Sequence, residues 1–190
     1  MPLRIPIAGG RPPEPPPYGG LGEDGWARGR TFLEVLEAAG DARDAWEAAF
    51  AAVDIAPDAG DFFASFPRRV RVLALGDPAR TDTRLNVAQA ERLFTLGQRI
   101  WMRFFAAPEN PDLVRLFAAS AELPLLVFFA DDRREFARWG PRPRPLQQLE
   151  AGSSWRDGEL ETRRLDYYAH NRGRDLAAEL RALLLPQIGA

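Results

Sequence analysis

The sequence predicts an α/β domain in which a mixed four-stranded sheet is flanked by helices, with extra helices before it and a long helix after it. Three observations predict this fold class. Short apolar runs alternate with segments of helical periodicity, as in strand–helix–strand units whose strands are parallel. A polar turn too short for a crossover separates the last two runs, which predicts an antiparallel hairpin. Hydrophobic residues make up 46% of the 190 residues, enough for a substantial core.

A helical extension is predicted over residues 31–66. Thr31 precedes an apolar stripe and has Glu34 three residues later, which is the pattern of a capping box. A second helix is expected to begin at Asp41 or Asp44, and a short third helix at 58–67 precedes the first strand. These stripes are interpreted as core-packing surfaces.

The central unit, residues 69–150, contains the four predicted strands. They are VRVLAL (70–75), RIWMRFF (99–105), PLLVFF (124–129) and EFARWG (135–140). Helices are predicted at 82–97 and 110–120, and another after PRPRP (141–145). Asp131 and Asp132 are interpreted as turn formers between the last two strands. Residues 155–186 are predicted to form a long C-terminal helix or a broken pair.

Residues 1–25 are rich in proline and glycine and are predicted to be an N-terminal arm before a single domain at 26–190. RPPEPPP (11–17) favours polyproline II, and YGGLGEDG (18–25) is expected to be flexible. The arm is either a docking peptide for an aromatic groove or a segment that is disordered or lies along its own domain or a partner subunit.

Composition excludes several classes of function. The chain has no cysteine, so it has no thiolate nucleophile, disulfide or thiolate metal site. The single histidine, His170, makes a histidine zinc site or a Ser-His-Asp triad improbable and is interpreted as a surface residue. A net charge of −2 gives no reason to expect nucleic-acid binding. No run is long enough to span a membrane. We therefore expect a cytoplasmic protein without a metal or cofactor.

The predicted order β-α-β-α-β-β-α is that of the thioredoxin fold, and two short motifs carry a family resemblance. The chain resembles bacterial thioredoxin-like proteins that have Trp-Cys-Gly-Asp after the first strand, an apolar-Pro pair at the third strand and Trp-Gly-Pro-Arg-Pro after the fourth. The last motif is intact at residues 139–143, from Trp139 through Arg142, and the pair is present as Leu123-Pro124. The resemblance covers roughly residues 31–185.

The redox motif is where this sequence departs from the family. Aligning the first strand and the following helix puts Ala79 at the tryptophan, Arg80 at the nucleophilic cysteine, Thr81 at the glycine and Asp82 at the aspartate. Thr83 falls where CxxC proteins have their second cysteine. Thiol–disulfide exchange requires a thiolate, so dithiol redox activity of this chain alone is excluded.

Each of the remaining site positions has two interpretations. In one interpretation, Arg80 at the helix N-terminus is part of a site for a small anion or carboxylate. In the other, Thr81 or Asp82 simply caps the helix and the Arg80 side chain is solvated. The resemblance implies that Leu123-Pro124 is cis, either beside a peptide-binding edge or as a feature that only shapes the fold. Arg142 is either a phosphate or partner contact or part of a stiff connector with Trp139 packed beneath it.

Three functions follow. The first is a redox-inactive protein- or peptide-binding or assembly module. The second is a glutathione- or small-anion-binding transferase-like enzyme that uses the helix N-terminus from Arg80 to Thr83. The third is a structural subunit whose proline arm and extra helices form a homodimer interface. The sequence favours the first function, with an unidentified protein or peptide as partner.

Overall fold

The computed structural model describes residues 17–119 and 121–189. The strands are β1 (Val70–Gly76), β2 (Ile100–Ala106), β3 (Leu125–Phe129) and β4 (Glu135–Trp139). The helices are α1 (Gly22–Ala27), α2 (Phe32–Ala38), α3 (Arg43–Ala51), α4 (Pro57–Ser65), α5 (Thr81–Phe94), α6 (Pro111–Phe117), α7 (Arg144–Ala151), α8 (Asp157–Asn171) and α9 (Arg174–Leu184). Short 3-10 helices cover Pro17–Gly20, Gly40–Ala42, Ala107–Glu109 and Leu185–Ile188.

The sheet has the order β2-β1-β3-β4. Strands β1 and β2 are parallel, and their register pairs Val70 with Ile100 and Gly76 with Ala106. Strand β3 is antiparallel to both of its neighbours. The mixed four-stranded sheet and the α/β thioredoxin fold class that the sequence predicts are therefore confirmed. Since β1 and β2 are parallel, the loops that follow them meet at the same edge of the sheet.

Two apolar cores cover the two faces of the sheet. Every residue of β3 is buried, as expected for a central strand that packs on both faces. One core joins the sheet to the long helices and contains Val72, Ala74, Phe104, Phe128, Trp46, Val87 and Leu180. The other joins the sheet to α6 and the N-terminal segment and contains Leu73, Leu75, Phe105, Val127, Phe117, Trp26 and Tyr18.

The N-terminal segment that the structure describes is part of the second core. Tyr18 is 0% exposed. Its ring stacks on Trp26 with centroids 5.3 Å apart and meets the edge of Phe129 at 5.4 Å. The expectation that residues 18–25 are flexible is therefore wrong, because these aromatic contacts hold the segment on the sheet. The polyproline prediction for residues 11–16 lies outside the described residues.

The capping box before α2 is confirmed. The backbone N–H of Thr31 donates to Glu34 Oε2 at 2.6 Å, and the N–H of Glu34 donates to Thr31 Oγ1 at 3.3 Å. The predicted third helix of the extension forms as α4, which begins at Pro57. Proline suits that first helical position because the missing N–H has no intrahelical acceptor there.

The C-terminal segment is the broken pair of helices. Arg172 has φ 51° and Gly173 has φ 80°, and these two left-handed residues separate α8 from α9. Glycine at this kind of helix end avoids the strain that a Cβ brings. None of the helices within 17–119 and 121–189 is long and apolar enough to cross a membrane.

Candidate functional site

The loop between β1 and α5 occupies the position of the redox motif. Asp77 Oδ1 accepts from the N–H of Ala79 at 2.9 Å, and the N–H of Arg80 donates to the Asp77 carbonyl at 3.0 Å. Arg80 itself is the N-cap residue and makes no side-chain cap. The expectation that Thr81 or Asp82 caps the helix is therefore wrong. Ala79 and Arg80 are exposed, and the Arg80 side chain has no hydrogen bond or ion pair with the described residues.

Thr83 lies behind the loop, fully buried against the end of β1. A Cβ on Gly76 would stand 2.6 Å from Thr83 Cγ2, so the threonine fills the space that glycine leaves. Its hydroxyl oxygen is buried and has no hydrogen-bond partner among the described residues. Position 83, where a second cysteine would stand, is a packing position rather than a solvent-accessible one.

Asp82 is buried and binds a buried arginine. Arg142 Nε donates to Asp82 Oδ2 at 2.9 Å, and the exposed fractions of the two side chains are 6% and 5%. Arg142 Nη1 also lies 3.1 Å from Glu122 and 3.4 Å from Glu150. The interpretation of Arg142 as part of a stiff connector leaves out its main contacts, because its guanidinium is desolvated and held by three carboxylates.

A tyrosine from α8 completes this buried cluster. Tyr168 donates to Asp82 Oδ1 at 3.0 Å and accepts from Asn86 Nδ2 at 2.8 Å. Burial, and then the adjacent Asp82 carboxylate, raise the pKa of Tyr168 far above its usual value. Tyr168 therefore stays a neutral donor at physiological pH. Asp82, Arg142 and Tyr168 together join α5, the segment after β4 and α8.

Trp139 and Arg164 support this arrangement from two sides. Trp139 Nε1 donates to Glu179 Oε2 at 2.6 Å, and the other oxygen of Glu179 accepts from the backbone N–H of Arg144 at 2.7 Å. Arg164 Nε donates to Glu150 Oε1 at 2.6 Å. Trp139 thus fixes the end of β4 to α9, and Arg164 fixes the carboxylate that faces Arg142.

Two cis proline bonds lie beside each other at the site. Leu123–Pro124 is cis, as the resemblance implies, and Gly140–Pro141 is cis as well. Gly140 has φ 140°, and a Cβ there would stand 2.2 Å from the carbonyl oxygen of Pro124. Only glycine allows this approach of the two backbones. The approach places Arg142 next to Leu123.

An open groove of about 670 Å³ runs between the Arg80 loop and Leu123. Three of the residues singled out from the sequence line it, namely Arg80, Leu123 and Arg142. The others do not line it: Ala79, Thr81, Asp82, Thr83, Pro124 and Trp139. Sequence reasoning missed the remaining lining residues, which are Asp77, Ala107, Pro108, Val114, Glu122, Glu150 and Arg164.

One signal in the sequence points to part of that missed wall. Ala107 and Pro108 directly follow β2, as Asp77 follows β1. The carboxyl ends of parallel neighbours share one edge of the sheet, so a loop after the second strand has to border a site after the first. The residues themselves are apolar and carry no chemical signature.

The groove carries three acidic and three basic side chains. Arg142 and Arg164 are paired with Glu150, whereas Arg80 is unpaired within the described part of the chain. Arg80 is therefore the cation that an incoming carboxylate or other anion meets. Among residues 17–119 and 121–189 there is no cluster of three or more acidic, histidine or cysteine side chains that could hold a metal.

His170 and the Asp131–Asp132 turn lie outside this groove. His170 is exposed, and its Nδ1 lies 2.7 Å from the Asp166 carbonyl one helical turn earlier. Asp132 binds the backbone N–H and the guanidinium of Arg134 within the hairpin turn. Both positions agree with their interpretation as a surface histidine and turn-forming aspartates.

Comparison with known proteins gives a family and a fold. A family model described as thioredoxin matches residues 29–157. An HIV epitope scaffold is 15% identical, with a TM-score of 0.64 over 85% of this chain and 95% of its own. A Pseudomonas aeruginosa protein of unknown function is 19% identical, with a TM-score of 0.60 over 82% of this chain and 95% of its own. At these identities the two structures show similarity of fold. No curated protein matches the sequence.

Proposed function

This chain belongs to the thioredoxin family, and we propose that it is a redox-inactive member that binds an extended protein or peptide segment in the groove between Arg80 and Leu123. The chain contains no cysteine. Thiol–disulfide exchange needs a thiolate, which neither Arg80 nor Thr83 can supply. The site therefore offers a groove for binding and no thiol for redox chemistry.

The backbone of Leu123 is the observation that carries this proposal. Strand β3 begins at Leu125, which pairs with Leu75. The N–H and C=O of Leu123, two residues earlier, have no hydrogen-bond partner among the described residues. Leu123 is half-buried, so these groups are free to pair with water or with an incoming backbone. An extended segment lying beside Leu123 would pair with them, as in β-strand addition.

The side chains around Leu123 suit a peptide better than a small anion. Ala107, Pro108 and Val114 form an apolar wall along the groove. The groove has three carboxylates and three arginines, and Arg80 is the only one of these arginines without an ion pair in the described part of the chain, so a lone anion gains only one free cation. A peptide gains main-chain hydrogen bonds at Leu123, apolar contact with the wall and an ion pair with Arg80.

The transferase-like alternative receives less support from the geometry. It relies on a threonine hydroxyl at the helix N-terminus that hydrogen-bonds a thiolate. Thr83 is fully buried against Gly76, and Thr81 does not line the groove. Asp82 additionally places a carboxylate in the first helical turn. Calorimetric titration with glutathione is the direct test of this alternative, and a homodimer is tested by sizing at several protein concentrations.

Peptide selection followed by affinity measurement tests the proposed function. A random peptide library is selected on the wild-type protein, and the synthetic peptides are titrated by calorimetry. Ala107→Trp, which fills the groove, should weaken binding by at least about tenfold, the equivalent of about 1.4 kcal/mol. Arg115→Glu is the matched control, since Arg115 is exposed on α6 and does not line the groove.

Two results would contradict the proposal. One is a selection that yields no peptide with measurable affinity. The other is a set of peptides whose affinity is the same for Ala107→Trp and for the wild type. Thermal unfolding of each variant verifies that the fold is intact.

A further inference from the structure

We propose that a second groove, at the opposite end of the sheet, binds an acidic peptide segment that carries aromatic side chains. The groove lies where β1 and β2 begin, whereas the Arg80 groove lies where they end. The proposal is independent of the proposed function, because no residue lines both grooves.

Two adjoining cavities make up this second groove. One, of about 440 Å³, lies between Trp26, Trp101 and Arg103. The other, of about 480 Å³, lies between Arg99, Pro67 and Arg134. Arg69 and Asp131 line both, so the two form one continuous depression. Its length suits an extended segment rather than a single small molecule.

The depression is basic, although the whole chain has a net charge of −2. Its arginines outnumber its carboxylates six to three. The arginines are Arg68, Arg69, Arg71, Arg99, Arg103 and Arg134, and the carboxylates are Glu23, Asp131 and Asp132. Concentrating positive charge in one place on an acidic protein produces a local potential that attracts acidic groups.

Two of these arginines are available to a partner. Arg71 is paired with Glu23 at 3.0 Å, and Arg134 with Asp132 at 2.6 Å. Arg69 and Arg99 are exposed and form no ion pair within the described part of the chain. A guanidinium binds a carboxylate through two parallel hydrogen bonds, which gives both strength and direction.

Trp101 supplies the apolar part of the surface. Its side chain is 46% exposed on β2, a large exposure for tryptophan inside a strand. Arg71 is its partner in the β1–β2 register, and Arg103 lies two residues further along the same face. An aromatic ring of a partner can stack on Trp101 while flanking carboxylates reach Arg69 and Arg99.

The carboxylates in the depression favour a peptide over a nucleic acid. A nucleic-acid backbone places a negative charge at every nucleotide and would bring phosphates against Glu23, Asp131 and Asp132. A peptide can place its acidic residues opposite the free arginines and apolar or neutral residues opposite the acids.

Fluorescence anisotropy with a labelled peptide of alternating Asp and Phe tests the proposal. Wild-type protein should bind it, and the Arg69→Ser/Arg99→Ser variant should bind about tenfold more weakly because two ion pairs are lost. Trp101→Ser should weaken binding independently. Arg115→Ser is the control, since Arg115 is an exposed arginine on α6 that lines neither groove, and it should leave the affinity unchanged.

Any of four outcomes would overturn the proposal. Three are no binding of the acidic peptide, equal affinity of the wild type and Arg69→Ser/Arg99→Ser, and tighter binding of labelled oligothymidylate than of the acidic peptide. A peptide of alternating Arg and Phe should not bind, and its binding would equally count against the proposal. Thermal unfolding shows that each variant is folded.

Discussion

Replacing Arg142 by methionine tests the cluster that supports the candidate site. The substitution keeps most of the side-chain volume and removes the guanidinium. Asp82 then loses its cation while remaining almost completely buried. Glu150 keeps Arg164 as a partner at 2.6 Å, and Glu122 is 72% exposed, so water solvates it. The cost of the substitution therefore falls mainly on Asp82.

The expected loss of stability is large. Removing one partner of a buried ion pair costs about 3–5 kcal/mol, because a buried charge is left without compensation. An unfolding entropy of about 2.1 cal/mol/K per residue gives about 0.4 kcal/mol/K for 190 residues. Arg142→Met should therefore lower the melting temperature by about 8–12 °C.

A double-mutant cycle measured by urea unfolding separates the pair from its surroundings. Asp82→Asn/Arg142→Met removes both charges, so it should be less destabilised than the sum of the two single variants by at least about 2 kcal/mol. A loss below about 1 kcal/mol for Arg142→Met, or additive single effects, would refute the reasoning, since a solvated or redundant Arg142 would behave that way.

Three further substitutions have defined outcomes. Tyr18→Ala should cost about 3–5 kcal/mol in urea unfolding because a fully buried aromatic side chain is lost, and a neutral effect would mean that the N-terminal segment is not part of the core. Burial raises the pKa of Glu91 from 4.5 to about 7, so the folded protein loses stability as the pH rises through that range and the buried carboxyl ionises. Glu91→Gln should therefore raise the free energy of unfolding by about 2 kcal/mol at pH 8 and by little at pH 4. Equal effects at both pH values would contradict this. Tyr168→Phe should cost about 1–3 kcal/mol in thermal unfolding because Asp82 and Asn86 lose a buried partner. The half-buried Tyr167, which bonds Asp175, is the comparison, and a smaller loss for Tyr168→Phe than for Tyr167→Phe would contradict the reasoning.

The fold could be predicted because its signals are local. The apolar runs that become β1 and β3 are buried on both faces, so they read as continuous hydrophobic strands. The turn at Asp131 and Asp132 is too short for the crossover connection that parallel strands need, so β3 and β4 have to form an antiparallel hairpin. The Thr31–Glu34 capping box needs only four consecutive residues.

Arg142 could not be placed from the sequence. An arginine between prolines is typical of an exposed connector, and its partner Asp82 is 60 residues earlier. Only the assembled sheet brings the end of β4 beside the first turn of α5. The packing of Tyr18 could not be predicted for the same reason, because its partner Phe129 is far away in the sequence.

The candidate site was predicted in part. The location of a loop after a strand and before a helix indicates a functional position, and Arg80 does line the groove. The facing wall of Ala107, Pro108 and Val114 carries no chemical signal, since apolar residues give the same pattern in a core and in a groove.

Amide hydrogen exchange at Leu123, with and without a peptide selected on the protein, tests the central claim most directly. Bound peptide should slow exchange of this amide by about tenfold or more, because the N–H of Leu123 gains a backbone acceptor. The amide of Trp101, at the far end of the sheet, should not change. If saturating peptide leaves the Leu123 amide unprotected and protects another surface, the peptide does not bind in the groove between Arg80 and Leu123.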